Sequence, residues 1–233
     1  MVQKGRHPAP QGGRLNNRRH EILAAASGLF RSHGFHSTGM RDIAVAAEMT
    51  VGNLYYYFEN KQDLLAFCQE DAVRRLLSMA HRVMRLDLDA AGKLWLLIVG
   101  HIRCLNEGVP GSLAHLQVEE LAAPARRRIV RLRNQYESTL CALVVQGSTE
   151  EDFLSTDAPV AVRAVLGAVN WTVQWYRPKG RMSLTKIAET FATQLVRGLL
   201  KTGVEFNPPD DRLLVSTEPV SSAATGTQEG GHL

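Results

Sequence analysis

Disulfide chemistry has little to work with in this chain. Its three cysteines, Cys68, Cys104 and Cys141, are odd in number and far apart, in none of the short paired spacings that build a zinc site or a disulfide framework. All three read as small buried hydrophobes; a redox-sensing thiol would need an accessible, electropositive setting. Long hydrophobic runs are missing too. No unbroken apolar stretch is longer than Leu94 to Val99, which falls far short of the roughly 20 residues that cross a bilayer, so no membrane partner is expected. The basic N-terminus is not followed by the apolar core of a signal peptide, and the expected location is the cytoplasm. Also absent are the nucleophile elbow, the phosphate-binding loop, the dinucleotide fingerprint and the HExxH helix. Glu119 and Glu120 are adjacent and point to different helix faces, so they make no catalytic pair. No catalytic residue, metal ligand or cofactor is therefore expected. No stretch alternates polar and apolar residues with β-branched enrichment, which excludes a sheet.

What is present is a hydrophobic content of 45% in 233 residues, ample for a substantial core. The positive charge is distributed unevenly. Residues 1–61 carry 8 basic and 4 acidic side chains, whereas residues 62–233 carry 19 of each. The whole net charge of +4 thus sits in the first quarter of the chain, where it can neutralise phosphates and release counterions.

Between a Pro- and Gly-containing basic arm over 1–15 and a polar tail over 203–233, both expected to be disordered, nearly every segment reads as helix. Ile22, Ala25, Ala26, Leu29 and Phe30 recur at the three-and-four spacing of one apolar stripe, predicting a helix over about 18–33 that stops at Gly34. Ser37 or Thr38 can cap a short second helix carrying Met40, Ile43, Ala44 and Ala47. Thr50 can cap a third running to about Tyr57, and Asn60 a fourth over about 61–85. Further helices are predicted over about 90–106, 112–122, 124–146, 157–175 and 183–201. The fold class is all-α: a three-helix, helix-turn-helix head over 16–62 and a larger helical domain over 63–202.

Two short capped helices joined by a tight turn let the second stand clear of the body and enter a DNA major groove. With Ile43, Ala44, Ala47, Met49, Leu54 and Phe58 inside, the third helix leaves Thr50, Val51, Gly52, Asn53, Tyr55 and Tyr56 outside. This stretch resembles the DNA-binding signature of the TetR family of bacterial regulators. Phe30, Phe35, Thr38, Ile43, Ala44, Ala47, Thr50, Gly52, Leu54, Tyr55, Tyr56, Phe58, Lys61, Leu64 and Leu65 match it at fixed spacing over more than 30 residues. Glu48 departs from the pattern, which commonly has Gly at the inter-helix turn; a positive φ there would cost Glu on the order of 1 kcal/mol.

The resemblance implies a dimeric repressor of double-stranded operator DNA released by a small-molecule effector. It assigns phosphate contacts to Thr38, Lys61 and Arg41, base or backbone contacts to Thr50, Val51, Asn53, Tyr55 and Tyr56, and close approach to Gly52. Arg14, Arg18 and Arg19 become a minor-groove arm. It further implies a ligand-binding and dimerisation domain from about residue 85, whose last two helices make a four-helix bundle with a partner in a homodimer; the final helix suits this through Leu184, Ile187, Ala188, Phe191, Leu195 and Leu199.

The segment Ala168 to Ser183, with Asn170, Trp171, Trp175, Tyr176, Pro178 and Gly180, resembles TetR members that control fatty-acid and steroid breakdown and sense acyl-CoA thioesters. For such a ligand Trp95, Leu96, Val99, Cys104, Leu140, Val144 and Trp171 are candidate walls, with Trp175 beside them, and Arg103, Arg127, Arg128 and Arg131 candidate phosphate partners. The bland readings are a solvated basic helix face for Arg126 to Arg128 and helix-end packing for the aromatics. His101 and His115 read as core histidines or as groups that orient a ligand. Two other classes stay in view: a helical protein-interaction adaptor without DNA binding, and an acyl-CoA-processing enzyme.

Overall fold

The computed structural model describes residues 12–107 and 121–214, with the side chains of 12–14, 31 and 32 left out. The expected helix over 112–122 and His115 therefore lie almost wholly or wholly outside the described residues, as do 1–11 and 215–233. The described residues form eight α-helices: α1 (Gly12–His33), α2 (Met40–Ala46), α3 (Val51–Tyr57), α4 (Lys61–Val83), α5 (Ala90–Asn106), α6 (Ala123–Thr149), α7 (Ala158–Trp175) and α8 (Leu184–Arg197). The expected absence of a sheet agrees with them; the one extended pairing is an isolated bridge between Phe153 and Leu200. Side-chain oxygens cap five helices, the first two as expected: Thr50 accepts from Asn53 N (3.1 Å), Asn60 from Asp63 N (2.8 Å), Asp89 from Gly92 N (2.7 Å), Asp157 from Val160 N (2.9 Å) and Ser183 from Lys186 N (3.2 Å).

Burial divides into two apolar clusters. The first joins Ile22, Leu23, Phe30, Ile43, Leu54, Phe58, Leu64 and Cys68. The second, larger one fills the space between α5 and its neighbours with Trp95, Leu97, Val99, Ile102, Leu140, Val144, Val165 and Val196. Helix α4 runs through both, contributing Leu64 to Cys68 to the first and Leu76 to Val83 to the second. The boundary expected at residue 62 thus falls at the start of a continuous 23-residue helix that belongs to both cores. Leu121 and Ile129, at the start of α6, also insert into the first cluster, so the body reaches into the head at a second point.

Two boundaries differ from the sequence reading. Helix α1 begins at Gly12, six residues before Arg18, because a helix can extend through polar residues once its later turns are anchored by packing. The tail expected from residue 203 is ordered as far as Leu214. Phe206 and Leu214 pack against the second core, Asp211–Leu214 form one 3-10 turn, and Asp211 is ion-paired with Arg103 of α5. Two apolar anchors and a half-buried ion pair outweigh the Pro- and Asp-rich composition that suggested a free tail.

Candidate nucleic-acid interface and effector site

The head is assembled by its loops as much as by its helices. Gly34, at φ +84°, closes α1 in the left-handed region that glycine tolerates. Helix α2 ends in a Schellman turn: Met49 N donates to Ala44 O (2.9 Å) and Glu48 N to Val45 O (3.1 Å), with Glu48 at φ 53°. The turn does require positive φ, and Glu48 bears it.

Three of the residues expected at DNA are engaged inside the protein instead. Thr38 is 3% exposed and its hydroxyl donates to Gly34 O (2.8 Å). It does not cap α2, whose N-cap is Gly39, with the Asp42 carboxylate accepting Gly39 N–H (2.8 Å). Lys61 folds back over the Phe35 ring and donates to three carbonyls of the α1–α2 loop, Phe35 O (2.7 Å), Thr38 O (3.0 Å) and His36 O (3.2 Å). Its ammonium clamps the loop and does not point outward to a phosphate. Arg19 lies between the rings of Phe58 (4.6 Å) and Phe67 (4.4 Å), near Asp63, a stacked position that removes it from any minor-groove arm. Arg18 is half-buried and paired with Glu21, and the Arg14 side chain lies outside the described residues.

The other candidates share an outer surface. On α3, Leu54 is fully buried and Val51 half-buried, while Thr50, Gly52, Asn53, Tyr55 (50% exposed) and Tyr56 (69%) face solvent. Arg41 is exposed on α2, one turn from Val45, an apolar side chain 77% exposed that the sequence reading passed over. A valine on the solvent face of a short helix leaves no signal in periodicity, since Ile43, Ala44 and Ala47 already account for the inner face.

The expected effector residues fall into three groups. Trp95, Leu96, Val99, Leu140 and Val144 are buried in the second core, and the Trp95 indole N–H donates to Thr193 Oγ1 (3.0 Å). Arg103 and Cys104 line a cleft of ≈ 540 Å³ with Arg75, Met79, Arg82 and Leu214. The Cys104 thiol is pushed up to about 11 by burial and sits on Ala72 O (3.9 Å), and burial raises Cys68 and Cys141 as well, so none of the three is poised as a thiolate. Arg127 and Arg131 are exposed on α6, and Arg128 pairs with Glu70 (2.6 Å). Trp171 (65% exposed) and Trp175 stand on the outer face of α7, which removes them from any internal wall. The apolar stripe of α8 is likewise turned inward: Leu184, Ile187 and Ala188 are buried against the chain's own core, with Phe191, Leu195 and Leu199 half-buried. The sequence reading missed Gln69 and Tyr136, polar groups buried where α4 and α6 face each other. Their positions within otherwise apolar stripes were the available signal.

Residues 22–67 match the family described as bacterial regulatory proteins, tetR family, and residues 87–199 match a tetracyclin repressor-like C-terminal domain. The chain belongs to the TetR family. Its relatives include the HTH-type transcriptional repressor KstR2 of Mycobacterium tuberculosis, 25% identical over 82% of this chain and 98% of that protein. The TetR-family regulator PfmR from Thermus thermophilus superposes with a TM-score of 0.70 at 27% identity, over 77% of this chain and 99% of that one. AibR, solved in complex with isovaleryl coenzyme A and operator DNA, shares the fold at a TM-score of 0.66 and 24% identity, over 78% of this chain and 98% of AibR. The TetR family consists of regulators, not enzymes, and no helix among the described residues is long and apolar enough to cross a membrane.

Proposed function

We propose that this protein is a transcriptional repressor that binds a palindromic operator as a homodimer and is released by an apolar small molecule, an acyl-CoA thioester in particular. The observation that carries the DNA reading is the outer face of α3, where Asn53, Tyr55 and Tyr56 are exposed while Leu54 and Phe58 root the helix in the head core. Gly52 has no heavy atom near the place a Cβ would occupy, so a duplex can approach the backbone there. The relatedness to KstR2, itself named a repressor, supports the sign of regulation.

Reading two half-sites requires two heads about 34 Å apart, hence a dimer. The surface that suits it is the outer face of α7, where Val160 (60% exposed), Gly167, Trp171 and Trp175 lie along one stripe. Helix α7 is one of the two final helices expected at the dimer interface, and of the two it carries the more exposed apolar side chains. The acyl-CoA reading is supported by the resemblance of the 168–183 segment and by AibR, which takes isovaleryl coenzyme A on the same fold. An effector inserted among the body helices would displace α4, which enters both cores, and move the heads off the operator spacing.

Fluorescence anisotropy with a duplex from the gene's own upstream region tests the DNA reading. Specific, salt-dependent binding with two protomers per site is expected, and no binding at low salt overturns it. Thermal-shift measurements across acyl-CoAs of different chain length test the effector reading; no stabilisation by any of them overturns the acyl-CoA assignment.

A further inference from the structure

Between the two cores lies a polar layer, to which α4, α5 and α6 each contribute residues one turn apart: Gln69 and Ala72, His101 and Cys104, Arg133 and Tyr136. The contacts close the layer. Arg133 Nη2 donates to Gln69 Oε1 (3.3 Å), the His101 and Tyr136 rings meet edge to face at 5.4 Å, and Cys104 Sγ rests on Ala72 O. One turn further along each helix the packing is apolar again, at Val73, Leu105 and Leu140, all buried.

Within this layer Gln69 is fully buried and Tyr136 is 4% exposed. Because Arg133 engages the Gln69 carbonyl oxygen, the amide presents its Nε2 donor elsewhere, and that atom has no hydrogen-bond partner among the described residues. Neither has Tyr136 Oη. Burial pushes the phenol far above its ordinary range, so it keeps its proton and stays a donor. Buried polar groups are nearly always paired, and each orphaned donor carries the full desolvation penalty of the group. Two in one layer, beside the half-buried Arg133 guanidinium, define what would relieve them: an oxygen with free lone pairs and partial negative charge.

We infer that this layer is the polar anchor of an effector site, and that it takes an apolar molecule through one carbonyl oxygen, which accepts from Gln69 Nε2 and Tyr136 Oη. The inference rests on the effector reading above and gives it a chemical requirement. It also places the ligand where it can act: Gln69 directly follows Cys68, which belongs to the head core, so a bond to its amide bears on α4 at the junction of the two cores.

The test compares octanoyl-CoA with octyl-CoA, the thioether that lacks the carbonyl, and adds 2-decanone as a carbonyl compound without coenzyme A. Calorimetry on the full chain is expected to show the thioester binding at least ten-fold more tightly than the thioether. Tyr136→Phe should lower thioester affinity about ten-fold, leave thioether affinity unchanged, and leave the melting temperature of the ligand-free protein unchanged or raised. Gln69→Leu should act in the same direction. The infrared carbonyl stretch of 1-13C-octanoyl-CoA should shift to lower frequency on binding wild type, and part of that shift should disappear with Tyr136→Phe. Equal affinity for thioester and thioether, or a thioester preference untouched in both variants, overturns the anchor while sparing the effector reading. A clear loss of ligand-free stability in Tyr136→Phe also overturns it, because the hydroxyl would then have a structural partner. Binding of none of the three probes overturns the acyl-CoA assignment and the anchor together.

Discussion

The head and the body treat their polar side chains in opposite ways. In the head, Thr38, Lys61 and Arg19 are drawn inward and held by a carbonyl, three carbonyls and two aromatic faces respectively. The surface left over on α2 and α3 is rigidly backed and open. In the body, the buried polar layer of Gln69 and Tyr136 keeps donors without partners among the described residues. Side chains held by several partners at once keep one geometry, as a DNA reader must. A region with orphaned donors carries a cost that a ligand can remove, as a sensor needs.

The largest test of this contrast uses neighbours on α3. Leu54→Ala should destabilise the protein by about 2–5 kcal/mol, since Leu54 is completely buried, while Tyr55→Ala should change stability by less than about 0.5 kcal/mol yet weaken operator binding ten-fold or more. Urea unfolding and anisotropy on the same samples separate the two. Next, Lys61→Ala should cost about 1.5–3 kcal/mol by releasing the α1–α2 loop, and the salt dependence of DNA binding should keep its slope. A slope shallower by about one would restore Lys61 to the phosphate contacts.

Smaller effects follow at the turns and at the junction of the two regions. Glu48→Gly should raise stability by about 1 kcal/mol, because the residue sits at φ 53° and glycine avoids the left-handed cost; a lower melting temperature would contradict this. Glu70 links α4 to α6 through Arg128 while also holding Arg74. Burial raises its pKa, but the two arginines outweigh burial and hold the carboxyl below its ordinary 4.5. A depressed folded pKa means stability present above the unfolded value and lost as pH falls through the folded one. Glu70→Gln should therefore be less stable than wild type at neutral pH, by under about 1 kcal/mol because both arginines are exposed to solvent, with the gap closing in acid below about pH 4.

Much of this was legible in the chain because it is local. The three-and-four spacing of Ile22, Ala26 and Phe30, the caps Thr50 and Asn60, and the stop at Gly34 each act within a turn or two. The helices they announce therefore appear, with α1 extended by six residues at its start. The fixed pattern from Phe30 to Leu65 identified the head for the same reason. What the tertiary structure alone decided is which polar or aromatic side chain faces which neighbour. Lys61 reaches carbonyls 23 to 26 residues away, Arg103 meets Asp211 across 108, and Trp171 points outward from a helix whose other face is core. Spacing along a helix sets the face a residue occupies, but only the arrangement of other helices determines whether that face meets core, solvent or another charge, and long side chains such as Lys and Arg can turn inward or outward from one position.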